Sequence, residues 1–357
     1  MCGLALDWLT SYLDSRKSFV RWKSSLSDQI TVETGIAQGS SLGPKMFSMY
    51  IAPLAKLIRS FGVQYHQYAD DTQLYISISR DNADVNLATL EQCTVKVNEW
   101  LLHNGLALNP SKSDVIQFVA NHGRSRVDNV AALSISGVAL KPSETVKSLG
   151  VVLDRRLSFD QHVNIVCRSC YFHIRALRHV RNSLPDEVAK TVAISIVTSR
   201  LDYCNALYFG MTNVNFTKLQ RVHNTLARVI VGQRKFDHIT PSLIQLHWLP
   251  VRQRVIFKLA TLTFKLFHTH QPAYLFELID NYQPVRLLRS SNQRLLCVNP
   301  TRTVLASRGF KHSAVTVWND LPADIRNIDT FCGFRRRLKR FCLILHLPPS
   351  PTLRAYE

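Results

Sequence analysis

A chain of 357 residues that is 46% hydrophobic is long enough for roughly two or three domains with a sizeable core. No secretion signal opens the sequence and no apolar run approaches about 18 residues, so we expect a protein that is neither secreted nor membrane-inserted, with nuclear or cytoplasmic location and its eight scattered cysteines reduced. The net charge of +19 favours a polyanionic partner, most commonly nucleic acid, over the alternative of a basic surface without such a partner.

The first half of the chain mixes helical and strand patterns. Leucines at helical spacing predict an amphipathic helix at 4–13, and the alternation in 19–35 predicts two short strands that end at Gly35. A second helix is predicted from Pro44 to residue 58, and a third at 84–104. Between these two helices, "VQYHQY" and "TQLYISIS" predict a hairpin with one buried face, and Asp70 and Asp71 lie between its two strands.

Three further strands are predicted at "DVIQFV" (114–119), "ALSISGVAL" (132–140) and "VKSLGVVLD" (146–154), with polar connections at 121–129 and 141–145. Beyond about residue 160 the pattern becomes helical, with helices predicted at 163–180, 188–199, 216–231 and 251–270. The charge changes at the same place. Residues 1–160 hold 16 basic and 15 acidic residues, whereas residues 161–357 hold 28 and 10, a net +18. We therefore place a domain boundary near residue 158.

The adjacent acids at the hairpin tip are the main candidate for chemistry. Each carboxylate disfavours ionisation of the other unless a cation is present, and Mg²⁺ is commonly held by one or two carboxylates together with substrate phosphates. Two such metal ions can serve phosphoryl chemistry. The alternative is a plain turn, because aspartate is a favoured turn residue.

The acids occur in a longer series of motifs. In chain order these are "GIAQGSSLGPKMFSMYI" (35–51), "YADD" (68–71), "GLALNPSKS" (105–113) and "VKSLGVVLDRRLSF" (146–159). Together they resemble the reverse transcriptase palm of non-LTR, LINE-type retrotransposons. The stretches "LHWLPVRQRVIFKL" (246–259) and "VWNDLPADIRNIDTFCGFRRRLKRF" (317–341) resemble the C-terminal region of the same elements.

The resemblance implies an α+β fold, with a partial polymerase palm of antiparallel hairpins and helices at 1–157. A helical thumb-like region at 158–235 and a basic helical C-terminal region at 236–357 would follow. The implied activity is RNA-directed DNA synthesis, with an RNA template, a DNA primer and deoxynucleotides as partners and Mg²⁺ as cofactor.

The resemblance also implies roles for individual residues. Asp70 matches the aspartate that binds the catalytic metal ions, and Asp71 matches its more weakly bound neighbour. Tyr68 and Ala69 match the residues near the primer end.

Two further positions come from other motifs. Gln38 and Gly39 match the loop over the incoming nucleotide and template, for which the alternative is a glycine-rich helix entry. Lys112 resembles the lysine that assists the departing pyrophosphate, for which the alternative is an exposed loop lysine.

Polymerases of this kind need a further metal-binding aspartate on a strand before the "WLTSYL" helix, and fingers that grip the triphosphate. The sequence begins at that helix, and Asp7 and Asp14 lie within the helical pattern. We therefore expect an N-terminally truncated reverse transcriptase that is inactive as this chain. A non-catalytic nucleic-acid-binding remnant is the alternative function, and a decayed product without a role is a third.

Three weaker sequence motifs each allow a functional and a structural interpretation. Cys167, Cys170 and His173 indicate a zinc site or, more simply, a cysteine-bearing helix face. Trp248 indicates base stacking or core packing. The last signal is a basic cluster for phosphate contact, a nuclear address or a solvated helix face, formed by Arg335, Arg336, Arg337, Lys339 and Arg340.

Overall fold

The computed structural model describes residues 2–119, 130, 132–283 and 294–344. The chain forms two compact units, Met1–Ser113 with Val127–Lys141, and Asp114–Arg126 with Pro142–Glu357. The predicted polar connection at 121–129 lies outside the described residues. The observed architecture is mixed helix and small antiparallel hairpins, which agrees with the predicted α+β class.

In its described residues, the first unit combines four α-helices with four antiparallel strand pairs. Its helices are α1 (Leu4–Leu13), α2 (Gly43–Ile51), α3 (Leu54–Ser60) and α4 (Ala83–His103). Its strands are β1 (Lys17–Ser18), β2 (Arg21–Trp22), β3 (Ser25–Leu26), β4 (Ile30–Thr31), β5 (Gln64–Tyr68), β6 (Asp71–Tyr75), β7 (Leu133–Ile135) and β8 (Val138–Leu140). Each pairing is antiparallel, between β1 and β4, β2 and β3, β5 and β6, and β7 and β8.

The predicted helix from Pro44 to residue 58 is two helices. α2 ends at Ile51 and α3 begins at Leu54, after Pro53. Proline has no amide hydrogen and its ring collides with the preceding turn, so a continuous helix is disfavoured there.

The small core of this unit consists of Ile51, Leu54, Ile58, Val63, Cys93 and Val97, with Leu74 and Ile76 of the β5–β6 hairpin packed against it. The predicted alternation of that hairpin is therefore confirmed. By contrast, α1 forms as predicted but buries none of its residues.

The second unit is mostly helical. It begins with β9 (Thr145–Ser148), paired with β10 (Val151–Asp154). Its helices are α5 (Asp160–Val180), α6 (Asp186–Ala193), α7 (Ser199–Asp202), α8 (Asn213–Val231), α9 (Thr240–Gln245), α10 (Val251–Thr269), α11 (Ala273–Phe276), α12 (Val304–Arg308), α13 (Phe310–Asn319), α14 (Ala323–Arg326) and α15 (Phe331–Ile344). A π-helical segment at Ile194–Thr198 joins α6 to α7. The four long helical predictions of this half are confirmed, apart from their exact ends.

The stretch predicted as a strand at 114–119 is not part of a ladder. Val115 O accepts a hydrogen bond from Ser143 N at 2.7 Å, and Val119 N donates to Arg155 O at 2.9 Å. These isolated bonds hold the stretch beside the ends of the β9–β10 hairpin.

Trp248 is 6% exposed and belongs to the core of the second unit, which supports the core interpretation of this residue.

Asp154 fixes the turn from β10 into α5. Its carboxylate accepts hydrogen bonds from the backbone N–H groups of Arg156, Ser158 and Phe159 at 3.1, 2.9 and 2.7 Å. Burial alone would raise the pKa of Asp154, but these bonds outweigh it and lower the pKa below its usual value. The strand and the helix are thereby joined, and the predicted boundary near residue 158 falls inside the second compact unit.

Candidate active site

The two adjacent acids lie where β5 turns into β6. The register pairs Tyr65 with Leu74 and ends with Tyr68 opposite Asp71, so Ala69 and Asp70 form a two-residue loop. Alternating residues of β6 face the core, which fixes the register because a shift by one residue would expose them all. The packing of the strand thus determines where the acids stand.

Ala69 has a φ of +52°, in the left-handed region that alanine rarely adopts. Asp70, the second loop residue, has no positive φ. A positive φ at the first loop residue alone is the pattern of a type II′ hairpin turn. Glycine usually occupies that first position. The turn therefore carries backbone strain beside the carboxylates, as functional turns often do.

Both carboxylates are open to solvent. Asp70 and Asp71 are exposed, Tyr68 beside them is 69% exposed, and neither carboxylate has a hydrogen-bond or ion-pair partner among the described residues. This donor set suits Mg²⁺, which takes hard oxygen ligands and completes its shell with water and phosphate oxygens. Within the described ranges, however, no group of three or more acidic, histidine or cysteine residues is gathered as a metal cluster.

The other predicted site residues lie on two separate loops of the first unit. Gln38 and Gly39 are exposed in the segment before α2, and Gly39 has a φ of +86°, which requires glycine. Lys112 is exposed at the end of a short 3₁₀ turn, Pro110–Lys112. The hairpin brings together only the residues of the "YADD" motif. The roles of Gln38, Gly39 and Lys112 stay predictions.

Comparison with known proteins assigns the segment that carries this hairpin. Residues 2–153 match the family model described as "Reverse transcriptase (RNA-dependent DNA polymerase)". This segment is therefore similar to the reverse transcriptase family. The predicted resemblance to non-LTR retrotransposon polymerases is confirmed.

Similar proteins include three from fruit flies. The chain is 26% identical to the probable RNA-directed DNA polymerase from transposon BS of Drosophila melanogaster, over 62% of this chain and 25% of the relative. The probable RNA-directed DNA polymerase from transposon X-element of the same species is also 26% identical, over 63% of this chain and 24% of the relative. The RNA-directed DNA polymerase from mobile element jockey of Drosophila funebris is 24% identical, over 63% of this chain and 25% of the relative. The chain thus spans about a quarter of the length of these relatives, and no solved structure matches it.

The strain in the hairpin turn at Ala69 gives a testable prediction. Ala69→Gly should raise the free energy of unfolding of the first unit by about 1 kcal/mol, because glycine adopts a positive φ without a steric penalty. Amide hydrogen exchange of β5 and β6 in the full chain measures this. Ala52→Gly is the matched control: Ala52 is also exposed but follows α2 with a right-handed φ of −53°, so glycine there should destabilise by about 0.4–1 kcal/mol. Equal signs for the two substitutions would contradict the interpretation.

The cysteine motif lies on α5, outside the residues that match the family model. Cys170 is fully buried on α5, and burial raises the pKa of its thiol to about 12. Burial also raises the pKa of Cys167. Within the described residues no group of three metal-ligating side chains is gathered here, and Cys170 Sγ lies 3.9 Å from Val197 O. The cysteine-bearing helix face is the better interpretation of this motif.

The basic cluster on α15 is partly engaged in packing. Arg335 Cζ lies 5.5 Å from the ring centroid of Phe331, and an Arg337 nitrogen lies 3.4 Å from an oxygen of Asp324. Arg336 is exposed without a side-chain partner in the described structure.

None of the described helices is long and apolar enough to cross a membrane.

Proposed function

We propose that Asp70 and Asp71 are the metal-bearing acids of an RNA-directed DNA polymerase. The observation that carries the proposal is the exposed, unpartnered carboxylate pair, held by a strained two-residue turn inside the segment that matches the reverse transcriptase family. Bound Mg²⁺ would supply charge neutralisation at the phosphates of the incoming deoxynucleotide.

The remaining site residues receive positioning roles in this proposal. Tyr68 and Ala69 place the primer end beside the acids. Gln38 and Gly39 lie against the nucleotide and template, since glycine permits a close backbone approach. Lys112 neutralises the departing pyrophosphate. The partners are an RNA template, a DNA primer and deoxynucleotides.

The 357-residue chain by itself is expected to bind metal and nucleic acid without extending a primer. Two adjacent carboxylates supply too few oxygen ligands for the pair of metal ions that phosphoryl transfer of this type uses. The second candidate function is therefore non-catalytic nucleic-acid binding, which the net charge of +18 on residues 161–357 favours.

The metal proposal is tested with Mn²⁺ as a paramagnetic probe. In the NMR spectrum of the full chain, low concentrations of Mn²⁺ should broaden the amide signals of residues 68–72, and Asp70→Asn with Asp71→Asn should abolish the effect. Asp81→Asn, another exposed aspartate of the first unit, is the matched control and should leave the broadening unchanged. Unbroadened signals in the unmodified chain would overturn the metal site.

Catalysis is tested separately by primer extension on an RNA template with Mg²⁺ and deoxynucleotides. We expect no incorporation by the chain alone. Incorporation that disappears in Asp70→Ala would contradict that expectation while supporting the assigned acids.

A further inference from the structure

An open groove lies along α8 and the first turn of α10, within the second unit. Its volume is about 400 Å³, and no lining residue is acidic. The side chains that matter for its chemistry are Asn213, Phe216, Gln220, Arg221, Asn224 and Arg252. Arg252 belongs to the stretch 246–259 that resembles the C-terminal region of the retrotransposon elements, whereas the α8 residues of the groove belong to none of the quoted motifs.

The amide oxygens of the groove are already used inside the protein. Gln220 Oε1 accepts a hydrogen bond from Val251 N at 2.8 Å, and Gln220 Nε2 donates to Asn224 Oδ1 at 2.7 Å. Asn213 Oδ1 accepts from Arg252 Nη2 at 2.7 Å. These bonds fix the orientation of the three amides, and they leave the NH₂ groups of Asn213 and Asn224 as the groups available to a ligand.

One of the two guanidinium groups is held in place before any ligand arrives. Arg252 Cζ lies 4.2 Å from the ring centroid of Phe216, and the bond to Asn213 orients the same group. Arg221 is exposed, and its side chain has no partner in the described structure. The groove thus offers two positive groups and two amide donors.

We propose that this groove binds the phosphodiester backbone of a nucleic acid. A surface made of donors and positive charge matches phosphate oxygens, which are acceptors only, and arginine forks suit them geometrically. Phosphate contacts position a strand without reading its bases, so binding through this groove should show little sequence preference. A nucleic acid is the occupant because the groove lies in the half of the chain with net charge +18. The inference rests on the proposed nucleic-acid binding and assigns it to particular residues.

The proposal is tested in the full chain with a fluorescein-labelled RNA–DNA primer–template duplex, by fluorescence anisotropy over a range of salt concentrations. Arg221→Gln with Arg252→Gln should weaken binding about tenfold near physiological salt and reduce the slope of log affinity against log salt by about two, because each phosphate contact contributes about 0.9. Arg234→Gln with Arg302→Gln is the matched control. Both are exposed arginines of the same unit without side-chain partners in the described structure, so the net charge changes equally. This control should leave the dissociation constant within about twofold.

Asn224→Asp is a more conservative variant. The aspartate retains an oxygen that accepts from Gln220, but the free NH₂ group becomes a negative acceptor. Binding should weaken about tenfold with an unchanged circular dichroism spectrum, since a phosphate is now repelled. Unchanged affinity in both Asn224→Asp and the double arginine variant, with normal binding by the unmodified chain, would overturn the groove but leave nucleic-acid binding intact. Absence of binding by the unmodified chain at low salt would overturn both.

Inorganic phosphate distinguishes a backbone site from a site for a free anion. At constant ionic strength, inorganic phosphate at about 10 mM should displace none of the duplex. A single phosphate ion lacks the other contacts that a nucleic-acid strand makes. Displacement that is lost in Arg221→Gln with Arg252→Gln would instead identify a site for free phosphate.

Discussion

Replacing Asp202 with alanine is expected to lower the free energy of unfolding of the second unit by about 3 kcal/mol. Asp202 ends α7, and its Oδ2 lies 2.7 Å from Nη1 of Arg254 on α10. The Arg254 side chain is only 13% exposed. Asp202 itself is 39% exposed, but without it this guanidinium would remain buried with an unbalanced charge, which is costly.

The surroundings of the pair show how the cost arises. Burial lowers the pKa of Arg254 and raises the pKa of Asp202, in both cases against the attraction of the partner. Arg254 also donates to Leu249 O at 2.8 Å and lies 3.3 Å from Nε2 of His223. Burial lowers the pKa of His223 well below its ordinary value, so the neutral ring accepts from Arg254. Because the guanidinium of Arg254 is mostly buried, an apolar pair should be tolerated better than the loss of Asp202 alone.

The double variant Asp202→Leu with Arg254→Met tests this reasoning. Its destabilisation should be about 2 kcal/mol or more smaller than the sum of the two single variants, because neither charge is left alone. Hydrogen exchange of the α10 amides in the full chain measures each free energy. Asp280→Ala is the control, since Asp280 is exposed, and should change stability by less than about 0.5 kcal/mol. Strict additivity of the two substitutions would refute the coupling.

Affinity for a primer–template duplex is expected to fall about 1,000-fold between 50 and 200 mM salt if the basic half neutralises about six phosphates. The net charge of +18 on residues 161–357 attracts any phosphate backbone, and binding releases the counterions that the nucleic acid had condensed. Residues 1–160, at a net charge of +1, should contribute little. Sequence preference should be small, because phosphate contacts carry no base information.

Anisotropy titrations of the full chain at several salt concentrations measure this fall. Asp70→Asn with Asp71→Asn should not weaken binding in the absence of metal ions, since it removes two negative charges that face solvent. Affinity that does not change with salt would show that the basic excess is a solvated surface rather than a nucleic-acid interface.

Local sequence determined most of the site hairpin. The alternation in 72–79 predicts a half-buried strand, which the structure forms as far as Tyr75, and the two-residue Ala69–Asp70 turn follows from its register. Helical spacing likewise gave the long helices α4, α5, α8 and α10 nearly to their ends. The break at Pro53 was also readable from a single residue, but the apolar period across it obscured the break.

Tertiary structure decided what periodicity cannot encode. The Asp154 carboxylate became the support of a turn because three backbone N–H groups converge on it. Arg254 and Asp202 are 52 positions apart, and the groove joins α8 to Arg252 of α10. Hydrophobic patterning specifies which face of each element is buried, but it is nearly silent about which polar side chains meet once those faces pack, because such meetings depend on distances between elements far apart in the chain.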